Sequence, residues 1–477
     1  MSTSAHLCGD AGEEPLLASR ARARIGALVL LLAALAVLNA CASASARTEP
    51  PAPLPRTATQ TPPPPTPPPT ARPTDPPTAR PTATASATPR PQPTAVPTPS
   101  AEPLSAERRL EVLGEVWELV RDNYVYADYN GVDWEAVRHE FAPRAEAATS
   151  DEAFYAALGE MVGRLNDQHS RFGPPALVVS EDAAISGREE GVGIGVVVVP
   201  MAEGGFIQTV FPDSSAEQGG LRPRDRILAV DGRPYRREDG DLRGPAGSSV
   251  RLNVVRPGEK PRDLVLERRE FQAHVAPYYR RFPGEIGYVA VSTLWSPDMD
   301  EQVSGALTEL MGAGQLNGVV LDLRGNPGGW SHVMTGILSH FVRGQVGVFF
   351  DRRAQVRPLV VPASVGPDMR GVPLAVLIDQ STASYAEVIA AILQREANAT
   401  VIGVASAGNT ETIYAYTISD GSRLWLAQEG FRLQNGASLE GHGVEPDAVV
   451  DVDWKRYSED DDPQLLEALR TLGAGPK

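Results

Sequence analysis

Prolines crowd one stretch of this 477-residue chain: 21 of its 43 lie between Pro50 and Pro103. Proline fixes φ and lacks a backbone donor, so such a tract fits neither a helix interior nor a central strand. Its other residues are mostly Thr, Ala and Ser. They cannot bury enough apolar surface to offset the entropy of ordering, so 42–103 is expected to be a disordered, extended spacer. Two pieces then remain to be read separately, a leader at 1–41 and a body at 104–477.

In the leader, Arg20, Arg22 and Arg24 precede an apolar run from Ile25 to Leu38, and Asn39-Ala40-Cys41 follow. A basic flank, an apolar run too short to span a bilayer and small residues at its end have the form of an export signal. The end resembles the lipobox of bacterial lipoproteins. That resemblance implies lipidation at Cys41 and an extracytoplasmic body tethered to a membrane; a cleaved secretory signal with an incidental cysteine and an uncleaved anchor are the other readings.

The body carries 36 Lys and Arg against 54 Asp and Glu. This acidic balance argues against nonspecific nucleic-acid binding, which depends on Lys and Arg displacing counterions. Cys8 and Cys41 both precede it, so the body has no disulfide, no thiolate metal site and no cysteine nucleophile. No metal or other cofactor is expected.

Three textures divide the body. Over 104–185, Leu110, Leu113, Val116, Leu119 and Val120, then Phe154, Leu158, Met161 and Leu165, recur at helical spacing. Over 186–268, a glycine turn feeds Val196–Val199, and further strands are punctuated by Gly219-Gly220 and Asp231-Gly232. Over 269–477, strands at 286–291, 318–323, 372–378 and 400–403 alternate with helices, one of them closing the chain at 463–472. The expected fold is a multidomain α+β and α/β chain: a helical unit, a small β-barrel and an α/β core with a parallel or mixed sheet.

Three core segments have chemical potential. Leu321–Gly329 runs from a strand into a glycine turn and a helix, leaving backbone N–H groups free to face an anion. No Lys-Ser/Thr pair follows those glycines, so an oxyanion hole fits better than a phosphate loop. In Leu377–Glu387, Ser384 falls at a helix start, where the dipole favours a serine oxyanion; a plain helix cap is the common alternative. The third segment, Ser438–Asp447, is a turn-rich stretch carrying Glu440 and His442.

The order "DSSAEQGGLRPRDRILAVDG" resembles a bacterial PDZ domain, which implies peptide capture by strand addition beside the loop Gly193-Ile194-Gly195. With "LDLRGNPGG", "TASYAE" and "GVEPD" following it, the body resembles the C-terminal processing peptidases (tail-specific proteases), serine proteases related to the tricorn core. That resemblance implies Ser384 as nucleophile and an oxyanion hole from the N–H of Tyr385 with one from Gly328 or Gly329. It also implies protein substrates with unstructured C-termini. The family's usual base is a lysine 25 residues after the serine, and here Asn409 stands at that position. An amide cannot act as a general base, and no lysine lies between Lys260 and Lys455.

By resemblance to the tricorn branch, the base falls to His169 in Asp167-Gln168-His169-Ser170. Glu440 then becomes its orienting carboxylate, Ser170 an auxiliary hydroxyl and Asn409 a hydrogen-bond donor near the site. His442 and His332 are the other candidate bases. The rival function is a catalytically inactive relative, a PDZ-bearing extracytoplasmic scaffold. The oligomeric state is not specified.

Overall fold

A computed structural model describes residues 103–185, 190–272 and 275–474. Cys41, the apolar run before it and most of the proline tract lie outside those residues. Three helices open the body: α1 (Ala106–Asn123), α2 (Trp134–Glu146) and α3 (Asp151–Gly163). Ser105, Asp133 and Ser150 cap them, each side-chain oxygen accepting the N–H three residues on. Val116, Val120, Phe141, Phe154 and Leu158 form their common core, which also takes in Leu424 and Leu426 from far along the chain. A short strand, β1 (Arg171–Gly173), and α4 (Pro175–Ile185) follow.

The next region contains β2 (Glu190–Gly193), β3 (Val196–Met201), β4 (Gly204–Val210), the single turn α5 (Ser215–Gln218), β5 (Arg226–Val230), β6 (Arg233–Pro234), β7 (Ser249–Val255), β8 (Arg262–Glu267) and β9 (Arg269–Gln272). The sheet runs β3-β4-β5-β7-β8, with β6 also on β5, while β2 pairs separately with β9. Ile194 is fully buried in this region's own core, with Val196, Ile207, Ile227 and Leu252. Strand β3 ends its sheet, and its Val198 N–H donates to Asp241 Oδ1 at 2.9 Å. The expected groove edge is thus occupied at that position by a side chain of the same chain.

The core begins with β10 (Tyr278–Phe282), β11 (Ile286–Ala290), α6 (Met299–Gly312), β12 (Gly318–Asp322) and α7 (Ser331–Leu338). It continues with β13 (Gly344–Asp351), β14 (Val356–Val361), β15 (Leu374–Ile378), α8 (Tyr385–Glu396) and β16 (Thr400–Gly403). It closes with β17 (Thr412–Thr417), β18 (Arg423–Leu433), β19 (Ala448–Val449) and α9 (Pro463–Thr471). One sheet runs β10-β11-β12-β15-β16-β19. β10 is antiparallel and every other pair parallel, giving the mixed sheet expected. Val319 and Leu321 pack with α6, α7 and α8, while Val320 faces α9. Burial on both faces explains why β12 and β15 read as unbroken apolar runs.

A second, antiparallel sheet, β1-β18-β13-β14 with β17 also on β18, has no counterpart in the sequence reading. Its long strand β18 packs Leu424 and Leu426 into the helical core, and Phe431 and Leu433 into the α/β core. Apolar residues of both parities are therefore buried, and the period-two signal of a half-exposed strand is lost.

Candidate active site

Strands β12 and β15 are neighbours and parallel, so the loops at their C-terminal ends emerge side by side. Hydrogen bonds join those loops. Asp379 Oδ1 accepts the Gly325 N–H at 2.9 Å, Thr382 Oγ1 donates to the Leu323 carbonyl at 2.9 Å, and the Ala383 N–H donates to the Asn326 carbonyl at 2.9 Å. Ser384 closes the second loop at φ 55° and ψ −131°, immediately before α8. A positive φ is uncommon for a residue with a side chain, and such strain gathers where a turn must present a reactive group.

The glycine turn is shaped around this serine. Gly328 has φ 87°, and a Cβ there would sit 2.6 Å from Ser384 Cβ. Gly329 has φ 150°, and a Cβ there would run into the Leu294 carbonyl. Only glycine fits either position. The Gly328 N–H donates to Asn326 Oδ1 at 2.9 Å, so it is engaged within the turn. The N–H groups of Gly329 and Tyr385 have no acceptor among the described residues. Of the two glycines named from sequence, Gly329 is the one with a donor to offer.

A carboxylate that the sequence reading quoted without assigning a role holds the far side of the loop. Glu387 is fully buried in the first turn of α8. It accepts the N–H of Ser384 at 3.0 Å, of Asn409 at 2.9 Å and of Gly408 at 2.7 Å, and the Ser406 hydroxyl at 2.6 Å. Segment 406–409 is thereby fixed against Ser384, and the Asn409 carbonyl accepts the Ser384 N–H at 2.8 Å. The Asn409 side-chain Oδ1 is buried without a hydrogen-bond partner.

His169 follows a turn in which Asp167 Oδ1 accepts its N–H at 2.9 Å. Its Nδ1 lies 2.9 Å from Glu411 Oε2, with the imidazole 10% and the carboxylate 3% exposed. The carboxylate in contact with His169 is therefore Glu411, two residues past Asn409, rather than Glu440. Glu440 stands one step behind: its Oε2 accepts from the Thr410 N–H at 2.7 Å and the Thr410 hydroxyl at 3.1 Å, and it hydrogen-bonds Glu411. Burial, then the charge of Glu411, push the Glu440 carboxyl up to about 8. Burial alone would raise Glu411 as well, but the His169 contact and the bond from Glu440 hold it below its ordinary value. The two shifts run in opposite directions, favouring Glu411 as the carboxylate on His169 and Glu440 as the protonated partner behind it.

Ser170 does not border this site. Its Oγ accepts the Ala427 N–H at 3.1 Å and ties β1 to β18. His332 Nε2 contacts the Pro297 carbonyl and His442 Nδ1 the Glu440 carbonyl, both exposed and outside the cavity described next. His340 is buried against the Pro367 carbonyl. Lys455 pairs with Asp379 behind the loop and does not reach the cavity.

Ser384, His169, Glu411, Asn409 and Gly329 line one cavity of about 840 Å³, walled by Trp295, Trp330, Tyr385 and Trp425. No hydrogen bond joins His169 to Ser384. In ligand-free sites such contacts are commonly loose and tighten around substrate. Among the described residues no group of three or more His, Cys, Asp or Glu could hold a metal ion, and no helix is long and apolar enough to cross a membrane.

Residues 285–450 match the model of peptidase family S41, residues 105–163 that of the tricorn protease C1 domain and residues 206–256 that of the PDZ domain. The chain is 27% identical over 389 residues to a carboxyl-terminal-processing protease of Synechocystis, covering 79% of this chain and 89% of that one. It is 28% identical over 327 residues to the carboxy-terminal processing protease CtpB of Bacillus subtilis, covering 66% of each. Among solved structures, the photosystem II D1 C-terminal processing protease superposes with a TM-score of 0.52 at 25% identity, covering 77% of this chain and 98% of that one. A putative S41 protease from Bacteroides fragilis shares the fold, with a TM-score of 0.54 at 16% identity over 75% of this chain and 97% of its own. Helical unit, PDZ domain and catalytic core are each matched, so the body is similar along its length to the peptidases of family S41, and the chain is a serine-type peptidase.

Proposed function

We propose that this protein is an endopeptidase that cleaves protein tails through a Ser384–His169–Glu411 site. Ser384 Oγ attacks the scissile carbonyl while His169 takes its proton. The N–H groups of Tyr385 and Gly329 receive the oxyanion. His169 then protonates the leaving amine, the peptide is held as an ester on Ser384, and a water deprotonated by His169 releases it. Glu411 fixes the imidazole tautomer through Nδ1 and balances the imidazolium; Glu440, kept protonated, holds Glu411 in place. In this scheme His169 does the work that a lysine at position 409 would otherwise do.

The observation that carries the reading is the shared cavity: a serine at a positive φ on a helix N-terminus, and an imidazole already paired with a buried carboxylate. The same observation disfavours an inactive scaffold, which has no need of either. The test is labelling of the full chain with a fluorophosphonate. Wild type should react at Ser384, Ser384→Ala not at all, and His169→Ala far more slowly. A folded wild type that stays unlabelled would sink the hydrolase.

The PDZ loop Gly193-Ile194-Gly195 supports tail recognition, with the edge of β3 as the pairing strand once Asp241 is displaced. The leader supports an extracytoplasmic location with Cys41 lipidated. Cells fed a clickable fatty acid should label wild type but not Cys41→Ser; equal labelling would remove the anchor.

A further inference from the structure

One wall of the Ser384 cavity is backbone. Strand β17 pairs with β18 along one edge, and no described strand lies on the other. The register fixes which of its peptide groups face outward. Ala427 of β18 donates its N–H to Ser170 Oγ at 3.1 Å, and its carbonyl accepts from the Val125 N–H at 3.0 Å. Both of its backbone groups thus point away from β17. Ile413, opposite Ala427, belongs to a non-hydrogen-bonded pair, with its own N–H and carbonyl turned to the open side. Two residues on, Ala415, opposite Trp425, repeats the arrangement. Ile413 and Ala415 both border the cavity that holds His169 and Ser384. The strand also grows directly out of the site: the Asn409 carbonyl takes the Ser384 N–H, Glu411 holds His169, and β17 starts at Thr412.

We propose that β17 is the edge on which the substrate is read: the chain to be cleaved adds to it as an extended strand, pairing its backbone with Ile413 and Ala415. The occupant is a substrate polypeptide because the open groups face the cavity of the nucleophile. This inference rests on Ser384 being that nucleophile. Backbone pairing is indifferent to side chains, so it suits an unfolded chain of almost any sequence. Preference enters only where a side chain meets the aromatic wall of Trp295, Trp330 and Trp425, which favours an apolar residue close to the cut.

The test is a series of peptide substrates, each methylated at one backbone nitrogen, turned over by the full-length wild type. Two positions two residues apart should each lose about tenfold in kcat/KM, as expected for one lost hydrogen bond, with the position between them within twofold of the parent. Equal tolerance at every position, or a continuous block of loss, would overturn the proposal. Ala415→Pro removes only the outward donor, a change that edge strands accommodate. It should raise KM about tenfold with circular dichroism unchanged; an unaltered KM would overturn the proposal. A dimer lost in Ala415→Pro without any kinetic change would assign the edge to a second copy instead. Fluorophosphonate labelling run in parallel separates the two failures. No label and no turnover removes the nucleophile and this inference together, whereas normal label and turnover with a flat methylation profile removes only the edge.

Discussion

Strands β3 and β17 each end a row of pairing, one in the PDZ sheet and one beside Ser384. An unpaired edge exposes N–H and carbonyl groups that will bond whatever arrives, so proteins cover or use it. At β3 the chain covers it: Asp241 takes the Val198 N–H at 2.9 Å. At β17 the outward groups of Ile413 and Ala415 are left to the cavity. The difference teaches that the two peptide-sized edges are not equally ready. On the proposed reading a tail would have to displace an aspartate to pair at β3, while the edge beside Ser384 stands open. Recognition and cleavage are thereby separable by mutation.

The largest separation comes from His169→Ala. It should lower kcat by at least about 10⁴-fold, as loss of a triad base does, while a fluorescent tail peptide still binds the PDZ domain with its wild-type Kd. Loss of tail binding as well would mean that the two edges are not independent. Glu387→Ala comes next, because it strands the N–H groups of Gly408 and Asn409 and removes the acceptor of the Ser406 hydroxyl. A cost of about 3 kcal/mol or more is expected, read from urea unfolding; a change under about 0.5 kcal/mol would show that segment 406–409 is held by something else. Asp241→Ala should act only on the other edge, tightening tail binding about three- to tenfold by fluorescence anisotropy. An unchanged or weaker Kd would show that Asp241 does not cap the groove.

The smallest effect is a slope. Burial and the charge of Glu411 raise the Glu440 carboxyl from its ordinary value of 4.5 to about 8 in the folded protein. Between those values the unfolded chain has released this proton and the folded chain has kept it. The unfolded state binds fewer protons there, so stability falls as pH rises from about 4.5 to 8 and levels beyond. In Glu440→Gln that contribution to the decline is absent, so its Tm relative to wild type should climb across the same window. Parallel Tm curves would contradict the protonated Glu440.

Much of this was legible in the chain. The buried parallel strands announced themselves as apolar runs, and the glycine turn and Ser384 stood at their ends as strand-turn-helix chemistry requires. His169 was singled out through the resemblance to the tricorn branch once Asn409 was seen at the lysine position, and it lines the same cavity as Ser384. Glu411 was not: it follows Asn409 and Thr410 without any motif, and its approach to His169 spans 242 residues of sequence separation. Only the packing of β1, β17 and β18 brings those two segments together. Glu387 was hidden by its ordinariness, since an acidic residue in a helix's first turn is common. Ser170 adjoins His169 in sequence, but its hydroxyl is taken up by the Ala427 N–H, a partner that nothing in the local sequence announces. The sheet containing β17 was invisible for the reason given by β18, whose two halves bury residues in two different cores.

The central claim is that Glu411, and not Glu440, sets the working state of His169. It is tested most directly by kcat/KM on one peptide for Glu411→Gln and Glu440→Gln, with folding checked by circular dichroism. An amide at 411 can leave the imidazole in the wrong tautomer and cannot balance its charge, so a loss of about 10³-fold or more is expected. An amide at 440 can still donate to Glu411, so that variant should stay within about tenfold of wild type. The reverse pattern, an active Glu411→Gln and a dead Glu440→Gln, would contradict the account.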